Sequence, residues 1–216
     1  MISALLDLVL PEVCAGCSRP GPVFCAVCQS GLWAQPGRFV PRVDPGVPCW
    51  ALGEYGGGLR RAILAGKDQG RRDAAPAFGR MYGGALKWLR AFGEIDDAAL
   101  APLVLVPAPT SRRAARRRGG DPVLRAARVA AGRTGAAVAP ALSLTGRVAD
   151  SAGLSARSRR RNLTGRVQAA ALRVPPGANV VVLDDVLTTG TTVSESVAAL
   201  AAAGVEVTAV LVLARA

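Results

Sequence analysis

Histidine is absent from this 216-residue sequence. Its absence removes Ser-His and Cys-His nucleophile pairs, HExxH metal sites and every imidazole acid or base. Chemistry here must run on carboxylates, hydroxyls, cations, backbone amides or a metal. Aromatic residues are only 4% of the chain, which weakens a design in which single-stranded nucleic acid lies on a platform of stacked rings. No apolar run approaches the ~20 residues that span a bilayer, so no membrane span is expected. Ile2, Leu5, Leu6 and Val9 fall at helical spacing, but Asp7 interrupts them and no basic residue comes before them. That pattern predicts a short packing helix rather than a secretory signal, and with it a cytoplasmic location.

Half of the residues are hydrophobic and 19% are charged, enough apolar material for a true core and too little charge for general disorder. At ~150 residues per domain the length fits one domain with an appendage, or two small units. Lys and Arg number 27 against 15 acids, a net charge of +12. The excess points toward anionic partners such as phosphate esters, nucleic acid or an acidic surface. A compositional origin explains it as well, since Lys67 and Lys87 are the only lysines and Ala and Gly are abundant. The position of the charge is therefore more informative than its sum.

Four of the five cysteines stand early, as Cys14-x2-Cys17 and Cys25-x2-Cys28. Two such knuckles bring four thiolates round a tetrahedral Zn²⁺, which supplies folding energy that so short a segment lacks; the alternative is a degenerate or redox-labile pair. Four thiolates leave no open position, so the zinc would be structural. Cys49 is expected to be a small buried residue. Residues 1–33 thus form a helix and knuckle, the Pro- and Gly-rich stretch 34–48 a linker, and 49–216 the main domain.

In that domain, Trp50 to Tyr55 is read as a strand and Ala74 to Phe92 as a helix. Leu103-Val104-Leu105-Val106, bounded by Pro102 and Pro107, is a strand buried on both faces of a parallel sheet. A helix over Val123 to Arg133 and a short strand within Gly135 to Leu142 follow. Residues 143–168 read as loop with a short helix. Asn179 to Leu183 is a second buried strand, Val193 to Ala203 a helix and Val205 to Leu213 a last strand. Strands alternating with helices predict an α/β fold, a parallel sheet covered on both faces.

The richest segment is Val180-Val181-Val182-Leu183-Asp184-Asp185-Val186-Leu187-Thr188-Thr189-Gly190-Thr191-Thr192. Four apolar residues carry two carboxylates to the carboxyl edge of the sheet, where open α/β folds bind ligands. A hydroxyl-rich loop then enters a helix with Val193, Val197 and Leu200 inward and Gly204 at its end. Thr192 and Glu195 have capping-box spacing. Backbone N–H groups and Thr hydroxyls at a helix N-terminus suit a phosphate dianion. No GxxxxGK[ST] motif is present, and two carboxylates would repel a bare polyphosphate, so a ligand bearing hydroxyls or a cation is expected. An ordinary capped turn would explain Thr192 and Glu195, but not two aspartates followed by five small loop residues.

This segment resembles the signature of the type I phosphoribosyltransferases, which bind phosphoribosyl pyrophosphate (PRPP). The resemblance implies that Asp184 and Asp185 engage the ribose hydroxyls, and Thr188, Thr189, Gly190, Thr191 and Thr192 the 5′-phosphate. Nearly end to end the chain is similar to the ComF family, competence-associated proteins with an N-terminal zinc knuckle and a phosphoribosyltransferase domain. Besides the cysteine pairs, Tyr55-x-Gly57-x-Leu59-Arg60 with Ile63 and Lys67 resembles the family's segment ahead of its first helix. Val106-Pro107-Ala108-Pro109 with Arg112, Arg113, Arg118 and Gly119 resembles its pyrophosphate loop, and Gly153-Leu154-Ser155 with Arg159 and Asn162 a further block. Two departures are Gly120-Asp121-Pro122, where an aromatic followed by Asn-Gln is usual, and Ser151, where a Gln is usual.

Arginine fills five of the seven positions from Arg112 to Arg118 and four of the five from Arg157 to Arg161. The first cluster follows a buried strand and can reach a ligand at the Asp184 loop, where guanidinium forks suit pyrophosphate; otherwise it is a solvated face. Pyrophosphate candidates are Pro109, Thr110, Ser111, Arg112, Arg113, Arg118 and Lys67, with Mg²⁺ carried on the pyrophosphate. The second cluster suits solvent or nucleic-acid phosphates. Since the sequence stops at Ala216, a hood over the acceptor is expected from the knuckle or from residues near Tyr55 and Lys67. The expectation is a protein that transfers a 5-phosphoribosyl group from PRPP to an unknown acceptor with release of pyrophosphate. The alternative is a non-catalytic competence adaptor that binds single-stranded DNA or uptake proteins. No side chain stands out as a general base.

Overall fold

The computed structural model describes residues 13–32, 35–71, 73–145 and 165–216. The apolar helix expected near residues 2–9, Ser151, the Gly153-Leu154-Ser155 block with Arg159 and Asn162, and the cluster from Arg157 to Arg161 lie outside the described residues.

The described elements are α1 (Ala26–Leu32), β1 (Gly37–Phe39), β2 (Cys49–Ala51), α2 (Gly57–Asp68), α3 (Ala74–Ala91), β3 (Leu103–Pro107), α4 (Arg112–Arg117) and α5 (Pro122–Thr134). They continue with β4 (Ala137–Val138), β5 (Leu142–Leu144), β6 (Val167–Ala169), β7 (Asn179–Leu187), α6 (Thr191–Ala202) and β8 (Ala209–Arg215). Six strands form one sheet in the order β1-β2-β8-β7-β3-β4. Only β1 runs antiparallel to its neighbour; β2, β8, β7, β3 and β4 pair in parallel. β5 and β6 make a separate antiparallel pair.

The two uninterrupted apolar runs become adjacent strands, β3 and β7, in the register Val104↔Val180 and Val106↔Val182. Period-two alternation sends their side chains to opposite faces. Leu103, Leu105, Val181, Leu183 and Leu211 pack with residues of α2, α3 and α5, while Val104, Val106, Val180, Val182 and Val210 pack with Val193 and Leu200 of α6. Both faces of the sheet are therefore covered, as a parallel sheet requires.

Helix α5 follows Asp121, whose carboxylate accepts the N–H groups of Val123 (2.8 Å) and Leu124 (3.1 Å). Pro122 occupies its first turn, where no N–H is needed, and Gly135 closes it at φ +70°. Gly120-Asp121-Pro122 is thus a complete helix start. α5 lies close on α3 at Gly79, where a Cβ would run into Val129.

Several boundaries differ from the sequence expectation. The stretch 34–48 supplies the edge strand β1, and the strand expected over 50–55 is Cys49–Ala51, with Glu54 in an isolated bridge to Arg215. The last strand starts at Ala209 rather than Val205; Val205 and Val207 are buried without laddering. β7 continues through the aspartates to Leu187, because β8 extends to Arg215 and gives Asp184, Val186 and Leu187 ladder partners. Cys49 is buried on β2, where burial first and the charge of Asp44 second push its thiol up to about 12. No helix among the described residues is long and apolar enough to cross a membrane.

Candidate functional site

Parallel pairing of β3 with β7 places their following loops side by side at one sheet edge. Ala108 N–H donates to the Leu183 carbonyl at 2.8 Å, which holds the start of the 108–111 loop beside Asp184. Pro109, Thr110 and Ser111 are partly exposed there. The hydroxyl of Ser111 caps α4 by accepting Ala114 N–H at 3.2 Å. α4 opens at Arg112, and Arg113 on it is exposed. Arg118, just past the helix, points back and pairs with Asp68 of α2 at 3.2 Å.

The aspartates leave β7 on different errands. Asp184 is half-buried; its Oδ1 accepts the Asp185 N–H at 2.8 Å. Burial, followed by the neighbouring Asp185 charge, pushes its carboxyl up to about 7 against the opposing pull of Lys67 and the Asp185 N–H. Asp185 is buried and points to the face covered by α2 and α3. Its Oδ1 accepts the Val186 N–H at 2.7 Å and Lys67 Nζ at 3.0 Å, and its Oδ2 lies 2.8 Å from the same ammonium. Burial works against the Lys67 charge, but the Asp185 and Asp184 carboxylates outweigh it and hold the ammonium above its ordinary value. A small cleft opens here, lined by Ile63, Phe78, Tyr82, Val123 and the Lys67–Asp185 pair.

The loop beyond the aspartates differs from its sequence reading in one respect. α6 starts at Thr191, not Val193, and no side chain caps it. Glu195, expected to close a capping box with Thr192, instead accepts the Gly165 N–H at 2.8 Å. The first turn therefore keeps its donors: the N–H groups of Thr189, Gly190, Thr192 and Val193 have no acceptor among the described residues. Thr189 Oγ1 and Thr191 Oγ1 are 3.0 Å apart, and Thr188 is exposed. Uncapped donors and the positive end of a twelve-residue helix make this turn attractive to an anion. Gly190 permits the turn twice over. Its φ is +90°, and a Cβ would strike the Val43 carbonyl of the segment that crosses the loop. That segment is tied down by Val43 N–H donating to Thr189 O at 2.8 Å.

Two residues that sequence reasoning did not assign to the site support it. Tyr82, fully buried in α3, donates its hydroxyl to the Asp184 carbonyl at 2.7 Å. A tyrosine inside an apolar helix implies a partner for its hydroxyl, which was the available signal. Asp121 caps α5 and adds its negative charge to those acting on Asp184.

The four cysteines form a second centre. Their sulfurs lie within 4.8 Å of one another, and Cys17 Sγ and Cys25 Sγ are 3.7 Å apart. A tetrahedron with Zn–S of about 2.3 Å has an edge of about 3.8 Å, so the donor set fits zinc in number, chemistry and size. Burial raises the Cys14 thiol, but N–H donors from Cys25, Cys17 and Gly16 outweigh it and bring it to about 6. Gly16 leaves the sulfurs room, since a Cβ there would sit 2.8 Å from Cys28 Sγ. The knuckle docks on the main domain through Phe24, edge-on to Phe78 at 5.8 Å, and through Arg61 Nε donating to the Gly16 carbonyl at 2.7 Å.

Fold and geometry together define an α/β protein with a mostly parallel sheet whose β3 and β7 loops lie side by side at one edge. Residues 126–216, from within α5 to the end of β8, match the family model for the phosphoribosyl transferase domain. No curated protein matches the chain.

Proposed function

We propose that the chain is a ComF-type phosphoribosyltransferase-like protein that binds PRPP or a related ribose phosphate at the β7–α6 loop. The observation that carries this reading is the uncapped first turn of α6, with the unengaged N–H groups of Thr189, Gly190, Thr192 and Val193 directly after Asp184 and Asp185. The 5′-phosphate lies on Thr188 to Thr192, and the ribose hydroxyls donate to the acidic pair. Pyrophosphate faces Pro109 to Arg113, with Arg118 and Lys67 supplying positive charge from the α2 side. As an enzyme the protein transfers the 5-phosphoribosyl group to a nitrogenous acceptor: the C1–O bond to pyrophosphate opens, an oxocarbenium-like centre develops, and cationic side chains stabilise the departing anion.

The acidic pair does not fit a protein-held divalent cation. Both Asp185 oxygens face the Lys67 ammonium, and Asp184 already accepts an N–H on one oxygen. Mg²⁺ therefore enters this reading only as part of the ligand, chelated by pyrophosphate. The four-cysteine knuckle supports the ComF assignment, which adds a cytoplasmic role in DNA uptake with single-stranded DNA or uptake proteins as partners. Calorimetric titration with PRPP tests the ligand: binding by the native chain that is weakened in Asp184→Asn supports the site, and no heat from the native chain removes it. Pyrophosphate release across a panel of nitrogenous bases then tests transfer.

A further inference from the structure

The Lys67–Asp185 contact joins residues 118 positions apart and places a cation where the ribose hydroxyls would arrive. A carboxylate has about four acceptor positions. On Asp185, Oδ1 takes the Val186 N–H and Lys67, and Oδ2 takes Lys67 again, leaving about one position open. On Asp184 only the Asp185 N–H is bound among the described residues, leaving about three. Neutral hydroxyl donors can fill these positions without displacing the ammonium. A magnesium ion cannot, because it demands close oxygen ligands at about 2.0–2.1 Å and would meet the Lys67 charge. The ammonium is also held in place. Lys67 stands in the last turn of α2, the end of a helix that favours a cation, and its neighbour Asp68 is anchored to Arg118 at 3.2 Å. Its side chain is still 34% exposed, so a ligand can reach it.

We propose that Lys67 is the resident counter-cation of the ribose site, so that the ribose 5-phosphate portion of the ligand binds this chain without a divalent metal. The proposal rests on the ribose-phosphate reading above. Lys67 thereby acts as a positioning residue: it neutralises Asp185 and fixes which of its lone pairs face the sugar. Metal dependence is then confined to the pyrophosphate half of PRPP, and a ligand lacking pyrophosphate needs none.

The test is calorimetric titration of the full chain with ribose 5-phosphate, once in EDTA and once in millimolar Mg²⁺. The native chain binds with affinities that agree within about twofold, and Lys67→Met loses about tenfold or more in EDTA and recovers part of it with Mg²⁺. Lys67→Arg keeps the charge and retains binding in EDTA. Native binding that appears only with Mg²⁺ overturns the Lys67 proposal and leaves the ribose-phosphate reading standing. No binding in either medium overturns both. A folded Lys67→Met chain that binds in EDTA as tightly as the native one also overturns the proposal. Should Lys67→Met fail to fold, judged by its thermal transition, the native comparison and Lys67→Arg decide the matter.

Discussion

The hydroxyl of Tyr82 donates to the main-chain carbonyl of Asp184 at 2.7 Å, linking the middle of α3 to the strand residue that begins the candidate ligand loop. Tyr82 is fully buried, so water cannot replace the bond. Tyr82→Phe keeps the packed ring and removes only the hydroxyl, costing about 0.5–1.5 kcal/mol. For a chain of this length that is a fall of about 1–6 °C in Tm, read by thermal unfolding. An unchanged Tm would mean that the bond contributes nothing net.

Gly190 and Gly204 both have positive φ, +90° and +76°, but only Gly190 has neighbours in the way of a side chain. Gly204→Ala should cost only the left-handed conformation, about 1–2 kcal/mol. Gly190→Ala adds a collision with the Val43 carbonyl, roughly 1–3 kcal/mol more, and displaces the loop. Urea unfolding of both variants should rank Gly190→Ala as the more damaging, and it alone should lose PRPP binding. Equal effects would show that the crossing segment does not constrain the loop.

Asp184 gives stability a pH dependence opposite to that of an ordinary surface carboxylate. Folded, it keeps its proton up to about 7; unfolded, it releases it near 3.8. Between those values the folded chain binds more protons, so this contribution to stability is present at the acidic end and is lost as pH rises toward 7. Asp184→Asn removes the titration. The stability of the native chain minus that of the variant should fall between pH 5 and pH 7.5, measured by urea midpoints. A difference that stays flat over this range would mean that Asp184 is charged throughout.

The four sulfurs predict about one zinc per chain, released by denaturation and read with a chromogenic chelator. Cys17→Ser should lose the metal. Because Phe24 of the knuckle packs against Phe78 of α3, the loss should also lower the Tm of the whole chain. Its ring contributes about 1.5–3 kcal/mol when fully buried. Metal content far below one equivalent would identify the cluster as a set of thiols.

The central sheet was legible because Leu103–Val106 in β3 and Val180–Leu183 in β7 are unbroken apolar runs, the pattern of strands covered on both faces. The acidic pair and its loop were legible because small residues and carboxylates at a strand end have few purely structural uses. Other features were hidden for identifiable reasons. The stripe of α2 includes Ala62, Ala65 and Gly66, residues too small to give a strong periodic signal, and two glycines open the helix. β1 has little strand character of its own and is defined by pairing with β2. The Lys67–Asp185 bridge is a product of topology, since β7 and α2 meet only after the sheet is assembled. The capping box failed because Glu195 found a partner thirty residues away.

The strand order also determines when the molecule can be completed during synthesis. β8 is wedged between β2 and β7, so the hairpin of β1 and β2 has nowhere to dock until residues 209–215 have cleared the ribosome. Until that moment the backbone edges of Cys49–Ala51 and Asn179–Leu187 are unsatisfied, and the apolar strands they belong to are open to wrong partners. A chain that has not yet delivered Ala209–Arg215 thus carries two apolar strands with open backbone edges and no partner between them.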